Sequence, residues 1–269
     1  MPDWLAAIIF GFVQGVAEFL PISSSGHLVL LHYFFPLPVA NDLAFDAVLH
    51  LAALCALVWY FFSDWKNLFF AWLKSWSGQH SDSSRLAWII ILATFPAALA
   101  GYWLEAYFEQ IRQPAVVAFS LAAVGGLLIV VEKIRPGGRE INATRWSDGL
   151  YIGLAQAIAL IPGVSRSGIT MVAGLSRGLS RIAAVRFSFL LAAPIIAGAG
   201  LKALKGLILF PPGRAEFFLL AVAFFTAWLS SFFAIKFLLY YVRQSTLIPF
   251  AVYRLCLALL ILLIWIVRD

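Results

Sequence analysis

Apolar runs long enough to cross a lipid bilayer recur along the whole chain, and they constrain its fold more than any other feature. Of the 269 residues, 63% are hydrophobic and only 12% are charged, whereas soluble domains carry about 25% charged residues. The runs are continuous rather than alternating, which is typical of transmembrane helices and not of barrel strands. The sequence therefore predicts an all-α polytopic membrane protein, with one integral membrane domain over residues 1–269.

Six of these runs reach the roughly 20 residues that a spanning helix needs. They lie at about 44–62, 86–104, 114–132, 183–201, 217–241 and 247–267. Two further regions, at about 4–34 and 149–178, are apolar but interrupted at "LPISSSG" and "IPGVSRSG". Each half of these regions is too short to span, so we expect two re-entrant helix–loop–helix hairpins. Their loops require surrounding protein or a water-filled cavity.

The two interrupted regions resemble one another at a constant offset of 142 residues. The matched pairs are Gln14 and Gln156, Ser23 and Ser165, Ser25 and Ser167, Gly26 and Gly168, and Phe45 and Phe187, with Ser24 opposite Arg166. The chain is therefore predicted to contain two repeat halves, at about 1–135 and 146–269. One hairpin and three spans in each half invert the second half, so that both hairpin tips meet near the midplane.

Positive residues lie mainly on one side of this predicted topology. That side carries Lys66, Lys74, Arg85, Lys133, Arg135, Arg139, Arg145, Arg177, Arg181 and Arg243. The other side carries mainly Arg112, Lys202, Lys205, Arg214 and Arg268. The positive-inside bias makes the first side cytoplasmic, so that the termini and the mouth of the first hairpin face outward. This sorting, with contacts to membrane lipid, explains the net charge of +6, and no nucleic acid partner is predicted.

The hairpin tips place charged and polar groups within the membrane, where each is costly unless it is paired or hydrated. Glu18 lies one helical turn after Gln14, and the second tip contributes Arg166. A helix N-terminus beside an arginine is an anion site, so phosphate is the expected ligand. The predicted phosphate-binding residues are Arg166, Ser23, Ser25, Ser165, Ser167, Gly168 and Thr170.

These residue types suffice for phosphoryl transfer, which needs a nucleophile, a base and cations that neutralise the phosphate oxygens. The candidate catalytic residues are Glu18, Ser24, His27 and Arg166. Glu18, together with Gln14, is the candidate holder of a divalent cation that keeps several waters and bridges two phosphates. One carboxylate is a small ligand set, so substrate oxygens would complete it. Mg²⁺ is the expected ion, with Ca²⁺ or Mn²⁺ as alternatives.

Each of these residues also has a purely structural interpretation. The serines can cap helices or allow close packing, and Glu18 can form a structural salt bridge with Arg166. The glutamines can bond between helices. Three histidines show no partner set in the sequence and are assigned no role: His32, His50 and His80. Two residues of the last helix either contact the phosphate or pack the helix end: Tyr253 and Arg254.

The motifs "QGVAEFLPISSSGH" and "PGVSRSGIT", followed by "RFSFLLAAP", resemble the signatures of the bacterial undecaprenyl-pyrophosphate phosphatases, the UppP or BacA family. The resemblance extends to "IPFAVYR" and covers essentially the whole chain. It implies an inner-membrane hydrolase that removes the terminal phosphate of undecaprenyl pyrophosphate and leaves undecaprenyl phosphate. That reaction recycles the lipid carrier of peptidoglycan synthesis and confers bacitracin tolerance.

The resemblance also implies roles for single residues. The family's divalent-cation dependence carries over to Glu18 and Gln14, where the family pattern accepts Glu or Gln. Its proposed nucleophilic serine falls on Ser24, its histidine on His27 and its phosphate-binding arginine on Arg166. Because Gln14 stands here, Glu18 is the only carboxylate of this metal pair. Attack by Ser24, assisted by His27 or Glu18, and direct attack by an activated water both fit this set.

A transporter or flippase of polyprenyl phosphate is the alternative function, because inverted repeats with broken helices are a transporter architecture. A second class of membrane lipid phosphatases also contains Ser-Gly-His, but it needs a histidine after its arginine motif. Every histidine in this chain precedes "SRSG", so that class is set aside. The sequence leaves open the preferred polyprenyl length, the physiological metal and the formation of a homodimer.

Overall fold

The described part of the chain is helical almost throughout. A computed structural model describes residues 2–34, 42–111, 113–134, 137–209 and 211–268; Arg112 and Arg135 therefore lie outside the described residues. The helices within these ranges are α1 (Asp3–Phe19), α2 (Ser24–Phe34), α3 (Asp42–Tyr60), α4 (Phe62–Ser75), α5 (Asp82–Gln110), α6 (Pro114–Ile134), α7 (Trp146–Ile158), α8 (Arg166–Ser176), α9 (Arg181–Leu209), α10 (Arg214–Tyr241) and α11 (Ile248–Arg268). A 3₁₀ turn covers Ile141–Ala143. The prediction of an all-α fold is confirmed.

Several helices are long and apolar enough to cross a membrane. The spanning segments are Asp82–Leu104, Pro114–Ile134, Arg181–Leu201, Arg214–Tyr241 and Ile248–Ile266. A sixth results if α3 and α4 are counted as one span, although these two helices meet at an angle of 77°. Large apolar side chains such as Trp59, Trp103 and Phe119 are exposed, as expected of a surface that faces lipid. The prediction of a multi-pass membrane protein is therefore confirmed.

Both interrupted regions form helix–loop–helix hairpins, α1–α2 and α7–α8. Pro21 follows the end of α1, where a proline cannot continue the helix. Ser23 and Ser165 precede α2 and α8 with φ values of 76° and 70°, a conformation that costs a non-glycine residue about 1–3 kcal/mol. Each hydroxyl then accepts the N–H of the glycine three residues later, at 3.4 Å from Gly26 and 3.1 Å from Gly168. The sharp turns are thus held by the first serine of each tip.

Glycines matched by the offset of 142 residues also make corresponding packing contacts in the two hairpins. The first arm of each hairpin crosses a helix of the other predicted half through a glycine. A Cβ at Gly11 of α1 would lie 2.4 Å from the carbonyl oxygen of Ala223 in α10, and one at Gly153 of α7 would lie 2.4 Å from that of Ala93 in α5. These correspondences are local to the hairpins, and the inverted repeat over whole halves stays a prediction.

Buried acids tie the helix ends together on the side predicted to face the cytoplasm. Asp148, with no exposed surface, accepts from Arg139 Nη1 and Arg177 Nε, both at 2.8 Å. Glu132 at the end of α6 accepts from Arg181 at the start of α9 at 2.7 Å. The three arginines all belong to the side with the larger positive charge. The pairs of Asp148 join the two ends of the second hairpin and the segment before it, and the pair of Glu132 joins α6 to α9.

Candidate active site

The carboxylate of Glu18 links the two hairpins. It lies in the last turn of α1 and is 6% exposed. Its Oε2 accepts a hydrogen bond from Ser24 Oγ at 2.7 Å, and its Oε1 accepts one from Arg166 Nη2 at 2.8 Å. The first contact joins the arms of one hairpin, and the second joins the tips of both. The structure therefore brings together three of the four candidate catalytic residues.

Gln14 and His50 complete the surroundings of this carboxylate. Gln14 Nε2 lies 3.1 Å from Glu18 Oε2, and His50 Nδ1 lies 3.2 Å from the same oxygen. His50 Nδ1 is also 2.9 Å from Gln14 Nε2. The sequence showed no partner set for His50 and assigned it no role; in the structure α3 packs beside α1 and brings the imidazole against Glu18 and Gln14. A polar residue within an apolar span was the signal that could have found it.

The two hairpin tips are also joined by backbone contacts. Ser167 Oγ donates to the carbonyl oxygen of Leu20 at 3.1 Å, and the N–H of Gly163 donates to Ser25 Oγ at 3.4 Å. Leu20 belongs to the first tip and Gly163 to the second. Because each bond runs from one tip to the other, the loops satisfy part of their polar backbone without water. This is the protein surrounding that a re-entrant loop requires.

Arg254 of α11 is fully buried and donates hydrogen bonds to backbone carbonyls of both hairpin tips. Its guanidinium lies 2.9 to 3.4 Å from the carbonyl oxygens of Pro21, Ser120, Leu121, Gly163 and Val164. A guanidinium carries five N–H donors and no acceptor, and carbonyl oxygens surround this one. Of the two interpretations of Arg254, these contacts favour packing over contact with a phosphate.

His27 is engaged by groups other than Ser24. Its Nδ1 lies 2.7 Å from the carbonyl oxygen of Ser23, and its Nε2 lies 2.6 Å from the hydroxyl of Tyr253. A carbonyl oxygen can only accept, so Nδ1 carries the hydrogen and Nε2 accepts from Tyr253 in a neutral ring. The hydrogen-bond partner of Ser24 is therefore Glu18, whereas His27 presents a proton-accepting nitrogen beside Tyr253.

The hydroxyl groups of the second tip position Arg166. Thr170 Oγ1 donates to the carbonyl oxygen of Arg166 at 2.7 Å and lies 2.7 Å from Ser188 Oγ. Arg166 Nη1 donates to the carbonyl oxygen of Ser188 at 3.3 Å. Together with Ser23, Ser25, Ser165 and Ser167, these hydroxyls make bonds within the protein. A direct contact of these residues and of Gly168 with phosphate stays a prediction.

The N-termini of α2 and α8 converge on the same carboxylate. α2 begins at Ser24 and α8 begins at Arg166, the two residues that contact Glu18. A helix N-terminus carries a partial positive charge and unpaired N–H groups, and two such ends near a guanidinium favour an anion. In this structure the anion is the protein's own carboxylate. A phosphate group would compete with it for the same donors.

The residues beside Glu18 fit a divalent cation that the substrate helps to hold. Within the described residues, no group of three or more His, Cys, Asp or Glu is gathered as a complete metal site. Gln14 Oε1, however, is buried and has no hydrogen-bond partner among those residues. An amide oxygen beside a carboxylate suits Mg²⁺, which keeps waters and binds through one or two carboxylates plus substrate phosphates.

Fold and site together define a class of protein. It is a polytopic helical membrane protein in which two helix–loop–helix hairpins bring together a carboxylate, a hydroxyl and a guanidinium. Residues 7–260 match the family model described as "Bacitracin resistance protein BacA", and the chain belongs to this family. The resemblance predicted from the two motifs is thereby confirmed.

Curated relatives resemble the chain over its full length. The undecaprenyl-diphosphatase of Rubrobacter xylanophilus is 43% identical over 97% of this chain and 98% of that protein. That of Moorella thermoacetica is 43% identical over 98% of both chains. That of Desulforudis audaxviator is 40% identical over 97% of this chain and 98% of that protein. Such coverage includes both hairpins and all helices between them.

Proposed function

We propose that this chain is an undecaprenyl-diphosphatase, which hydrolyses undecaprenyl pyrophosphate to undecaprenyl phosphate and phosphate. The observation that carries the proposal is the contact of Glu18 with both Ser24 and Arg166, at 2.7 and 2.8 Å. A hydroxyl, an acceptor for its proton and a cation for the phosphate thus lie within one hydrogen-bonded group. The names of the relatives favour this hydrolase over a transporter of the same lipid.

The substrate binds with its pyrophosphate between the N-termini of α2 and α8, and its polyprenyl tail leaves sideways between helices. Arg166 has two occupied contacts, Nη2 with Glu18 and Nη1 with the carbonyl of Ser188. The terminal phosphate takes the place of the Glu18 carboxylate on Arg166, because each anion offers oxygens that can accept from the planar guanidinium. The exchange removes the Arg166 guanidinium from Glu18 Oε1, while Oε2 keeps its contact with Ser24.

In the first chemical step, Ser24 Oγ attacks the terminal phosphorus. Its proton passes to Glu18 Oε2, which already accepts the hydroxyl at 2.7 Å. The new Oγ–P bond forms as the bridging P–O bond breaks, and the bridging oxygen keeps the electron pair as part of undecaprenyl phosphate. Arg166 and the helix N-termini neutralise the charge on the phosphoryl oxygens.

In the second step, a water displaces the Tyr253 hydroxyl from His27 Nε2, attacks the phosphoserine and gives its proton to that nitrogen. The P–Oγ bond breaks, Ser24 Oγ recovers the proton held by Glu18, phosphate leaves, and His27 Nε2 then releases its proton to solvent. His27 suits this role because its Nδ1–H is held by the Ser23 carbonyl, which keeps Nε2 as the acceptor. The alternative is direct attack on the substrate by a water that Glu18 or His27 activates. A trapped reaction of active protein that contains no phosphoserine would support the direct route.

A divalent cation, Mg²⁺ first, would be held by Glu18 and Gln14 and completed by substrate oxygens. When bound, it neutralises charge on the two phosphates and draws electrons from the scissile bond. We assign the chain to the bacterial inner membrane, with the site opening outward, on the asymmetry of its basic loops. There the reaction would recycle the lipid carrier for peptidoglycan synthesis and confer bacitracin tolerance.

The first experiment measures phosphate release from a polyprenyl pyrophosphate by purified protein in detergent, with Mg²⁺ and then with EDTA. Glu18→Ala and Arg166→Ala should each lower the rate by about a hundredfold or more. Glu140→Ala and Arg243→Ala, which change exposed residues of the same types, should retain it. Release that is unaffected by the first two substitutions would contradict the site. No release from folded wild type with metal would contradict the hydrolase and favour transport.

A further inference from the structure

We infer that His50 is a third protein ligand of the divalent cation, beside Gln14 and Glu18. The inference rests on the proposed metal-dependent function and concerns a residue outside the motifs that carry the family resemblance. His50 lies on α3 and reaches the site only through the packing of that helix against α1. Its side chain keeps 33% of its accessible surface, so an ion can approach it.

Three atoms of these residues form a nearly equilateral triangle. Gln14 Nε2 and His50 Nδ1 are 2.9 Å apart, Gln14 Nε2 and Glu18 Oε2 are 3.1 Å apart, and His50 Nδ1 and Glu18 Oε2 are 3.2 Å apart. Ligands at right angles around an octahedral ion, with bonds of about 2.0–2.1 Å, are separated by about 2.9 Å. The triangle thus has nearly the size of one face of an octahedral coordination shell.

Hydrogen bonds alone do not satisfy this triangle. If His50 Nδ1 lacks a hydrogen, its lone pair faces the lone pairs of Glu18 Oε2 at 3.2 Å. If Nδ1 carries the hydrogen, it meets the N–H donors of Gln14 at 2.9 Å. One edge therefore joins two groups of like polarity in either tautomer. A cation on the triangle takes lone pairs from Glu18 Oε2, from His50 Nδ1 and, once the amide has turned, from Gln14 Oε1, and so removes that conflict.

Gln14 must turn its amide for this arrangement, since a nitrogen with two hydrogens is no metal ligand. The oxygen that would replace it, Gln14 Oε1, is buried without a hydrogen-bond partner among the described residues. The turn therefore breaks no bond of that oxygen, whereas Nε2 gives up its contacts with Glu18 Oε2 and His50 Nδ1, which the ion replaces. Ser24 can keep its bond to Glu18, because a carboxylate oxygen has two lone pairs and the ion takes one. Arg166 contacts the other oxygen.

An imidazole ligand changes which ion the site prefers. Carboxylate, carbonyl and water oxygens suit Mg²⁺ and Ca²⁺, whereas an imidazole nitrogen favours transition metals. With His50 in the shell, the protein should bind Mn²⁺ more tightly than Mg²⁺ or Ca²⁺. His50→Gln replaces the nitrogen with an amide oxygen and should reduce that preference about tenfold or more, the range of changes to a metal's surroundings.

The test uses Mn²⁺ as a spectroscopic probe on tag-free protein in detergent. Electron spin-echo envelope modulation should show coupling of bound Mn²⁺ to an imidazole nitrogen in wild type. The coupling should disappear in His50→Gln and persist in His80→Gln, which changes an exposed histidine of the α4–α5 loop. Wild type grown with ¹⁵N-histidine must show the changed nuclear frequency, so the ligand is tested even if His50→Gln does not fold.

A second comparison tests the turned amide. Gln14→Leu should weaken Mn²⁺ binding about tenfold or more, whereas Gln156→Leu, at the matched position of the second hairpin, should leave it unchanged. Bound Mn²⁺ without histidine nitrogen coupling, or coupling retained in His50→Gln, would overturn the inference. If phosphate release depends on metal but the histidine coupling is absent, His50 is not a ligand and the proposed hydrolase function still stands. If the coupling is present but the folded protein releases no phosphate, the inferred ligand set stands and the proposed hydrolase reaction is contradicted.

Discussion

Ser24 and Ser25 are adjacent in sequence but have different partners. Ser24 Oγ donates to Glu18 at 2.7 Å, whereas Ser25 Oγ accepts the N–H of Gly163 across the tips at 3.4 Å. We expect Ser24→Ala to lower phosphate release by at least about a hundredfold, since it removes the nucleophile or the group that orients it. Ser25→Ala loses two long neutral hydrogen bonds, with Gly163 N–H and with Ser23 Oγ, and should stay within about tenfold.

The two variants are compared in one assay, after size-exclusion chromatography shows that both are folded. Equal losses would mean that the serine cluster acts by structure alone. A larger loss in Ser25→Ala would move the nucleophile to that residue.

Asp148 is the second residue whose surroundings predict a measurable effect. Burial raises the pKa of this carboxyl, but hydrogen bonds from Arg139, from the N–H of Arg145 and from Arg177 outweigh it, and the pKa lies below 3.8. The unfolded chain therefore binds this proton at a higher pH than the folded chain does. The stability that the ionised carboxylate contributes is complete above pH 3.8 and is lost as the pH falls through the lowered value.

Asp148→Asn should therefore destabilise the protein at pH 7, and the difference from wild type should shrink as the pH drops below 3.8. We expect a loss of about 2 kcal/mol, since the partner arginines are partly exposed, which corresponds to about 4–8 °C in Tm. Tryptophan fluorescence during heating measures both proteins, with Glu140→Gln as the exposed control. A difference that is constant from pH 7 to pH 3 would contradict this account.

At the scale of helices, glycines set how closely the hairpins approach their neighbours. A Cβ at Gly11 would lie 2.4 Å from the Ala223 oxygen and 2.9 Å from Thr226 Cβ, whereas Gly126 of α6 has nothing within 4 Å. Gly11→Ala must push α1 from α10 and shift Glu18, at a cost of about 1–3 kcal/mol. Gly126→Ala should be neutral or stabilise α6 by up to about 1 kcal/mol.

Thermal unfolding and phosphate release of the two alanine variants check this prediction. Gly11→Ala should lose both stability and activity, and Gly126→Ala should lose neither. Similar melting temperatures for the two would show that the α1–α10 contact can relax without cost.

The elements that the sequence predicts correctly are those whose ends are marked by proline and serine residues. Pro21 and the serines after it mark the break between α1 and α2, and the same pattern marks the break before Arg166. The bend between α3 and α4 has no such mark: Tyr60, Phe61 and Phe62 are all apolar and suit a continuing span. After the bend α4 packs against α5, whereas α3 packs against α9 and α10, and such tertiary contacts cannot be predicted from a local pattern.

The same distinction applies to the site. Glu18, Ser24 and Arg166 stand in two dense polar motifs, so their meeting could be predicted from the matching of the hairpins. His50 is a single polar residue in an apolar helix, and its contact with Glu18 arises from tertiary packing. The guanidinium of Arg254 is a similar case, since its five carbonyl partners come from three separate segments.

At the scale of the whole molecule, the asymmetry of basic loops predicts its orientation. The α4–α5 loop should face the cytoplasm and the α9–α10 loop the outside. Both native cysteines are exposed, so the test starts from a variant in which Cys55 and Cys256 are alanine. In intact cells a membrane-impermeant maleimide should label Gly213→Cys and spare Ser77→Cys until the cells are opened. The reverse labelling pattern would show that the molecule has the opposite orientation, with the mouth of the first hairpin facing the cytoplasm.

The ion pair of Glu18 and Arg166 has a consequence for turnover. An anion that enters the site must displace a carboxylate that is tethered to the protein and therefore always present. Free phosphate has no lipid tail to add affinity, so it competes poorly with the Glu18 carboxylate for Arg166. The carboxylate thus helps to expel the product, and weak product inhibition should accompany the use of a tightly bound lipid substrate.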